Sequence, residues 1–401
     1  MLKVLQINAG SQNFGGVSAI LLNLYRHIDR TKVQFDFLTP NKTTYGLFRE
    51  EIEAMGGHIY ELGINSSKLP GKISLYAALR EFFRDHRYDI VHINSGVLLF
   101  NSFAASAARR FTRAKIFVHA HSNGGRSGVK ERVSLPLKKF LASRADVLLA
   151  CSASAAAYMF PEEAISGTHI LRNGIDTRHF QFSESERERV RVELGLSDAF
   201  VIGSVGRFSP EKNHAFMLEV LKSARKHRPD AKLLLVGDGP LLESIREKAD
   251  SLGLSDAVVF AGAQADVAPY YAAMDVYLQP SEFEGFGICC LEAEASGLFV
   301  AASDRVPEDA DAAKTMLRIP LEHGAEAFAA ALLGFCGSSE GDFSPCGQLS
   351  ALPSPVKAKA GARENAWQTA LDAGYDIVVS ASLLEKLYMA AVPKKRKLRS
   401  S

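Results

Sequence analysis

Short apolar runs alternate with amphipathic segments along the first half of the chain. The segments between the runs have helical periodicity, for example Ser18–Ile28, Leu75–Arg84 and Val129–Arg144. Because parallel strands need a long crossover, usually a helix, this alternation predicts a doubly wound parallel sheet. The runs that predict its buried strands are Lys3–Ile7, Gln34–Leu38, His58–Leu62, Ile90–Ile93, Lys115–Val118 and Val147–Cys151.

The same alternation restarts after residue 180. A charged helix is predicted at Ser183–Leu194, where a serine precedes the first turn. Two successive sheets of this kind predict an α/β protein with two Rossmann-like domains. The later predicted elements are Val201–Val205, His214–His227, Lys232–Val236, Leu241–Leu252, Val258–Phe260, Val276–Gln279, a helix from about Gly287, and Phe299–Ala302.

The boundary between the two domains is predicted near residues 175–185. This gives an N-terminal domain over residues 1–180 and a C-terminal domain over residues 181–380. Residues 336–363 are rich in Ser, Pro, Gly and Ala and are interpreted as a loop-like insertion. Residues 381–401 are expected to hold a final helix, Ser382–Ala391, and a basic tail.

Charge is distributed unevenly along the 401 residues. Residues 1–180 carry 23 Lys and Arg against 14 Asp and Glu, whereas residues 181–392 carry 19 against 31. The last nine residues add five basic side chains and no acid, so the overall net charge of +2 is a cancellation. This asymmetry favours an anionic partner for the first half, and an unevenly charged solvated surface is the alternative.

Cysteine usage and hydropathy limit the cellular setting. The chain has five cysteines, an odd number without a C-x-x-C pair, which favours a reducing compartment. The apolar start, Met1–Ile7, is too short for a signal peptide, and no uncharged apolar run reaches 18 residues. A cytoplasmic protein that does not cross a membrane is therefore predicted, with no nucleic-acid partner.

A first glycine-rich loop joins the first strand to the first helix. Gly15 and Gly16 lie in it, and glycine allows a ligand to approach the backbone. The spacing fits neither a G-x-G-x-x-G motif nor a P-loop. A tight turn and a phosphate site therefore remain equally good interpretations of this loop.

A second segment places two cations after a buried strand. Gly206 and Arg207 follow the strand Val201–Val205, and Lys212 comes five residues after Arg207. Ligands bind open α/β sheets at the carboxyl ends of the strands, and two converging cations suit a diphosphate. A diphosphate site is favoured over a solvated turn, which would not explain the glycines.

A third segment combines a loop that opens a helix with two acids. The loop residues Gly285, Phe286, Gly287 and Ile288 would offer backbone N–H groups to a phosphate. Glu284 and Glu292 are eight residues apart, so one can lie in the loop and the other inside the helix. Acids beside a phosphate are costly unless they accept hydrogen bonds from hydroxyl groups, and sugars supply these. A capped helix with a surface Glu is the alternative.

Two histidines end a strand of the first domain. His119 and His121 follow Val118, where an imidazole can bind a substrate or satisfy a partly buried loop. Asn173 and Gly174 mark a turn into the segment between the domains.

Together, these strings resemble the retaining glycosyltransferases of family four, which have the GT-B fold. The resemblance runs from Lys3 to about Glu308 and rests on the Gly15–Val17 loop, the linker string His169–Asp176, the Arg207/Lys212 pair and the E-x7-E motif from Glu284 to Glu292. The string Ala302–Pro307 is similar to the branch that makes capsular polysaccharides and exopolysaccharides.

The resemblance implies two domains that face a cleft and a final helix that crosses back to the N-terminal domain. It implies that a nucleotide-diphosphate sugar, based on UDP or GDP, binds without a metal or other cofactor. Glu292 would hold the ribose and Glu284 the sugar, and Arg207 and Lys212 would stabilise the leaving diphosphate. His121, or else His119, would lie near the sugar.

The sequence departs from the family pattern at three places. Ser18 replaces a usual Glu, Phe299 replaces a common Pro, and residues 318–365 match poorly. These departures affect the expected acceptor contacts and the identity of the donor sugar, and leave the phosphate site intact.

The implied function is transfer of a sugar to a glycan or lipid-linked acceptor in cell-surface polysaccharide synthesis. The basic tail could bind an anionic membrane at its inner face, or it could be a disordered solubilising tail. Rival interpretations are a nucleotide-sugar-binding pseudoenzyme that acts as a scaffold, a sugar-nucleotide epimerase of the same fold, and a dinucleotide oxidoreductase, which the missing G-x-G-x-x-G motif disfavours.

Overall fold

Thirteen strands form two parallel sheets in the part of the chain that the structure describes. This computed structural model describes residues 1–9, 16–42, 44–65, 69–122, 131–336 and 363–392. Gly15, nearly all of the predicted insertion and the basic tail from residue 393 lie outside the described residues. The chain divides into unit 1, Met1–Gly174 with Asp376–Ser401, and unit 2, Ile175–Tyr375.

Unit 1 contains a seven-stranded sheet in the order β3-β2-β1-β4-β5-β6-β7, and all its strand pairs are parallel. Its strands are β1 (Leu2–Asn8), β2 (Val33–Thr39), β3 (Ile59–Glu61), β4 (Ile90–Ser95), β5 (Lys115–Ala120), β6 (Val147–Ala150) and β7 (His169–Ile170). Its helices are α1 (Gly16–His27), α2 (Arg49–Ala54), α3 (Leu69–Asp85), α4 (Leu98–Phe111), α5 (Glu131–Arg144), α6 (Ala153–Met159), α7 (Glu162–Ile165) and the last helix of the chain, α15 (Ile377–Ala391).

The two faces of this sheet differ in chemistry because successive side chains on a strand point to opposite sides. One face is apolar and packs with residues of α3 and α4 in a continuous core. The other face carries buried polar side chains that alternate with the apolar ones: Gln6, Asn8, His92, Asn94 and His119. Tyr388 of α15 packs on this second face, with its ring centroid 5.1 Å from that of Phe117.

Unit 2 contains a six-stranded parallel sheet in the order β10-β9-β8-β11-β12-β13. Its strands are β8 (Phe200–Val205), β9 (Ala231–Val236), β10 (Val258–Gly262), β11 (Val276–Gln279), β12 (Phe299–Ser303) and β13 (Met316–Ile319). Its helices are α8 (Glu184–Glu193), α9 (His214–Arg225), α10 (Leu242–Ser251), α11 (Ala268–Ala273), α12 (Ile288–Ala295), α13 (Gly324–Cys336) and α14 (Ala366–Asp372). The α/β architecture with two doubly wound parallel sheets is confirmed.

Helix α15 belongs to unit 1 although it follows unit 2 in the chain. It begins at Ile377, five residues before the predicted start at Ser382, because Asp376 caps it by accepting a hydrogen bond from the Val378 N–H at 2.8 Å. The chain leaves unit 1 after Gly174 and re-enters it at Asp376. None of the helices in the described ranges is long and apolar enough to span a bilayer.

Candidate active site

The predicted cation pair lies where β8 ends. Gly206 and Arg207 follow the fully buried strand, and Lys212 closes a single 3-10 turn, Pro210–Lys212. Asn213 then adopts a left-handed conformation, with φ 57°, and turns the chain into α9. The 3-10 turn and the left-handed residue after it therefore keep both cations at the carboxyl end of the strand.

The ends of strands β8 and β9 pack closely together in this region. The Gly206 N–H donates to the Val236 carbonyl at 2.9 Å, at the end of the neighbouring strand β9. Gly237 follows with φ 143°, and a Cβ there would lie 2.0 Å from the Gly206 carbonyl oxygen. Glycine is therefore required at 237 for the two backbones to approach.

The side chain of Arg207 contains a buried hydrogen-bond donor that has no acceptor among the described residues. Its Nε is shielded from solvent and has no hydrogen-bond partner among the described residues. An unsatisfied buried donor costs about 1–3 kcal/mol, so such a group marks a place for an acceptor from a ligand. Arg207 can thus bind an anionic oxygen.

Lys212 and Glu284 form a largely buried ion pair. The Lys212 ammonium donates to Glu284 Oε2, which also accepts from Gln279 Nε2 at 3.2 Å. Burial alone would lower the pKa of Lys212, but the Glu284 carboxylate outweighs it and raises the pKa above its usual range. Lys212 is therefore charged at neutral pH and held in one place.

The loop after Glu284 leads into α12 through a left-handed glycine. Gly285 and Phe286 form the bend, and Gly287 has φ 90° just before Ile288, the first residue of the helix. The Phe286 side chain is buried, which anchors the loop in unit 2. The first N–H groups of a helix lack partners within it, so this loop and the first turn of α12 can bind an anion.

Glu292 lies in α12 and accepts a hydrogen bond from the Tyr271 hydroxyl at 2.8 Å. Burial raises the pKa of Glu292 to about 7, while Tyr271 and the charge of Lys212 act in the opposite direction. Burial and the neighbouring Glu292 raise the pKa of Tyr271, so its hydroxyl stays protonated and donates. The structure therefore brings Lys212, Glu284 and Glu292 together around one end of the unit 2 sheet.

In unit 1, His119 is the penultimate residue of β5 and His121 directly follows the strand. Both are buried, and their ring centroids are 3.9 Å apart. Burial lowers the pKa of His121 to about 3, and the nearby amide of Asn173 opposes this shift. His121 Nδ1 and both ring nitrogens of His119 have no hydrogen bond of ordinary geometry within the described ranges. The two rings are therefore neutral groups with unused hydrogen-bonding capacity.

A chain of buried hydrogen bonds joins His121 to helix α15. His121 Nε2 lies 3.2 Å from Asn94 Oδ1, and Asn94 Nδ2 donates to Gln6 Oε1 at 2.9 Å. Gln6 Nε2 in turn donates to the Tyr388 hydroxyl at 3.0 Å, and that hydroxyl lies 2.6 Å from His92 Nδ1. Sequence reasoning missed Gln6, Asn94 and Tyr388.

Gln6 and Asn94 could have been found from the sequence, because they are polar side chains at alternate positions inside apolar strands. Gln6 and Asn8 in β1 and His92 and Asn94 in β4 follow this period of two. Tyr271 and Gln279, which contact the two acids of unit 2, carry no such signal.

The other candidate site residues of unit 1, Gly16 and Asn173, lie far apart in the sequence. Gly16 is the exposed first residue of α1, and Ser18 is buried and accepts a hydrogen bond from Asn8 Nδ2 at 2.8 Å. Asn173 is buried immediately before the end of the first segment of unit 1. No cluster of three or more His, Cys, Asp and Glu placed to hold a metal occurs among the described residues.

Two family descriptions match the chain. "Glycosyl transferase 4-like domain" matches residues 15–165, and "Glycosyl transferases group 1" matches residues 199–337. The first match lies in unit 1 and the second in unit 2. Both belong to glycosyltransferases.

Relatives and solved structures agree with these matches. The putative glycosyltransferase EpsF of Bacillus subtilis is 30% identical over 317 residues, which cover 77% of this chain and 81% of that protein. A GDP-mannose-dependent phosphatidylinositol monomannoside mannosyltransferase of Mycolicibacterium smegmatis is 36% identical over 141 residues, 33% of this chain and 37% of that protein.

A crystal structure of HepE from Anabaena with UDP-glucose has a similar fold. The TM-score is 0.71 at 20% identity, and the match covers 97% of this chain and 100% of that one. The HepE structure shows the same fold, and the two family matches together with the relationship to EpsF establish that the chain is an enzyme and belongs to the family-four glycosyltransferases, in a branch similar to exopolysaccharide enzymes.

Proposed function

We propose that this enzyme transfers a sugar from a UDP- or GDP-sugar to a glycan or lipid-linked acceptor in cell-surface polysaccharide synthesis, with retention of anomeric configuration. The observation that carries the proposal is the arrangement in unit 2. A buried Arg207 donor without an acceptor and a charged Lys212 stand beside two acids and a helix N-terminus.

The diphosphate is proposed to bind these cations. Arg207, Lys212 and the N–H groups of Gly285–Ile288 would stabilise the charge that develops when the bond between the anomeric carbon and the phosphate oxygen breaks. These groups are preorganised, since Glu284 holds Lys212 and Gly287 fixes the start of α12. We therefore propose that leaving-group stabilisation requires no metal ion.

The two acids are proposed to bind hydroxyl groups. Glu292 would accept hydrogen bonds from the ribose, and Glu284 would accept one from the transferred sugar while it holds Lys212. Glu284 is not proposed as a nucleophile, because the ammonium of Lys212 and the amide of Gln279 already occupy its Oε2. The departing phosphate oxygen would take the acceptor proton as the acceptor oxygen bonds to the same face of the anomeric carbon.

Unit 1 is proposed to supply neutral contacts on the acceptor side. His121, and next to it His119, would bind sugar hydroxyls through those ring nitrogens that make no hydrogen bond of ordinary geometry among the described residues. Gly15 and Gly16 are proposed to take part in donor binding, and Asn173 is proposed to support His121. We also propose that the enzyme works in the cytoplasm at the inner face of the cell membrane, where lipid-linked acceptors lie.

A thermal-shift panel of UDP- and GDP-sugars tests the donor. The matching donor should stabilise the protein, whereas Arg207→Ala and Glu292→Ala should abolish the shift. Lys222→Ala, which removes an exposed lysine of α9, is the matched control and should behave like the wild type. Transfer to an acceptor should survive a chelator if no metal is needed. Equal shifts and turnover in all variants would refute the proposed site.

A further inference from the structure

The buried amide of Asn94 lies on the polar face of the unit 1 sheet and has a fixed orientation. Asn94 is the penultimate residue of β4 and pairs in register with His119 of β5. Its Nδ2 group lies 3.1 Å from the carbonyl oxygen of His92 and 2.9 Å from Gln6 Oε1. A carbonyl oxygen can only accept a hydrogen bond. The backbone at His92 therefore determines which end of the Asn94 amide is the NH₂ group.

This orientation turns the amide oxygen of Asn94 towards His121. Asn94 Oδ1 lies 3.2 Å from His121 Nε2, and because an amide oxygen only accepts, Nε2 carries a proton. Burial lowers the pKa of His121 to about 3, so the ring is neutral near pH 7 and has that single proton. Nδ1 therefore carries a lone pair, and it is buried without a hydrogen bond of ordinary geometry in the described part of the chain.

We infer that Asn94 is the positioning residue of His121: it holds the ring proton on Nε2 and leaves Nδ1 to accept a hydrogen bond from a sugar hydroxyl. The inference rests on the proposed function, which gives His121 a sugar to bind, and adds the direction of that hydrogen bond. The oxygens of a diphosphate only accept at neutral pH, so they cannot pair with an unprotonated nitrogen. His121 thus selects hydroxyl groups, whereas Arg207 and Lys212 offer donors to a phosphate.

The Tyr388 hydroxyl belongs to the same buried network but does not orient Asn94. It accepts a hydrogen bond from Gln6 Nε2 at 3.0 Å and therefore donates its own proton to His92 Nδ1, at 2.6 Å. Tyr388→Phe removes both bonds and leaves the His92 carbonyl beside Asn94 Nδ2. This variant is the matched control, because it loses buried hydrogen bonds of the network while the ring proton of His121 stays on Nε2.

Long-range proton–nitrogen NMR spectra of the full chain with isotope-labelled histidine test the inference, because protonated and unprotonated ring nitrogens differ in chemical shift. His121→Ala identifies the signals of His121 by their loss. The wild type and Tyr388→Phe should carry the proton on Nε2. Asn94→Leu removes the acceptor, and the nearby Asn173 oxygen lacks a hydrogen bond of ordinary geometry among the described residues. The form protonated at Nδ1 should therefore rise about tenfold or more. Asn94→Ala is the second variant if Asn94→Leu does not fold.

Binding measurements test the selection of hydroxyl groups. Asn94→Leu and His121→Ala should each weaken binding of UDP-glucose or GDP-mannose about tenfold, and the double variant should bind no more weakly than His121→Ala. Affinity for free UDP and GDP should stay at the wild-type value.

Three outcomes would overturn the inference. The first is a wild-type His121 protonated at Nδ1, and the second is an unchanged ring proton in both Asn94 variants. The third is an equal loss of affinity for free UDP or GDP in His121→Ala. The NMR spectra are recorded without a ligand, so they decide the role of Asn94 separately from the proposed function, which fails if no nucleotide sugar stabilises the protein.

Discussion

The carboxyl of Glu292 makes stability depend on pH in a calculable way. Burial raises its pKa from the usual 4.5 to about 7. Between these values the unfolded chain loses a proton that the folded chain keeps, so the wild-type free energy of unfolding falls as pH rises from 4.5 to 7. Glu292→Gln removes this loss and keeps a carbonyl oxygen for the Tyr271 hydroxyl.

The size of the pKa shift of Glu292 sets how much Glu292→Gln changes the free energy of unfolding. A displacement from 4.5 to about 7 corresponds to about 3 kcal/mol at 1.36 kcal/mol per unit of pKa. Glu292 retains some exposure to solvent, which screens the penalty, so this figure is an upper bound. Glu292→Gln should therefore equal the wild type in stability near pH 4 and exceed it by up to about 3 kcal/mol at pH 8.

Urea unfolding followed by the fluorescence of Trp367 measures this difference. Trp367 is the only tryptophan of the chain and lies in unit 2, the same unit as Glu292. Glu243→Gln changes a highly exposed carboxylate of the same unit and keeps Glu292, so its free energy of unfolding should follow that of the wild type at both pH values. A constant difference between pH 4 and pH 8, or a Glu292→Gln variant less stable than the wild type at pH 8, would refute the reasoning.

Three further changes test the packing around the two sites. Gly287→Ala places a Cβ atom on a residue with φ 90°, 3.1 Å from a neighbouring methyl group. It should lower the free energy of unfolding by about 1–3 kcal/mol in the same fluorescence assay. The loss should exceed that of Gly253→Ala, where a Cβ atom has open space. Tyr388→Phe leaves two buried polar groups unpaired and should lower the free energy of unfolding, followed by circular dichroism, by about 1–3 kcal/mol. Lys212→Met should cost about 3–5 kcal/mol because Glu284 loses its partner, and adding Glu284→Gln should restore part of this; strictly additive costs would contradict a coupled pair.

The fold could largely be predicted from sequence because buried parallel strands are short apolar runs between helices. The start of α15 could not. Its first turn, Ile377–Ser380, has no polar face of its own, and it becomes helical through the cap at Asp376 and packing on unit 1.

The candidate site, like the fold, could be predicted from the sequence only in part. Arg207, Lys212 and Glu284 could be singled out because each follows the carboxyl end of a strand in the chain. Their pairing could not be read from either segment alone, since Lys212 and Glu284 are 72 positions apart. The bond between Gln6 and Tyr388 joins residues 382 positions apart and depends on the return of the last helix to unit 1, which no local pattern encodes.

The buried imidazoles and the carboxyl of Glu292 differ in the pH at which they change charge, and this determines where pH should act on substrate binding. Burial lowers the pKa of His121 to about 3 and that of His214, which stacks on Phe208 at 4.1 Å, to about 4. Both imidazoles are therefore neutral above pH 5 and contribute hydrogen bonds without charge. Glu292, with its pKa at about 7, does change charge near neutrality. If ionised Glu292 accepts the ribose hydroxyls, donor affinity should rise with pH through 7 in the wild type and stay constant in Glu292→Gln, so a neutral-range pH profile reports on this carboxylate rather than on histidine.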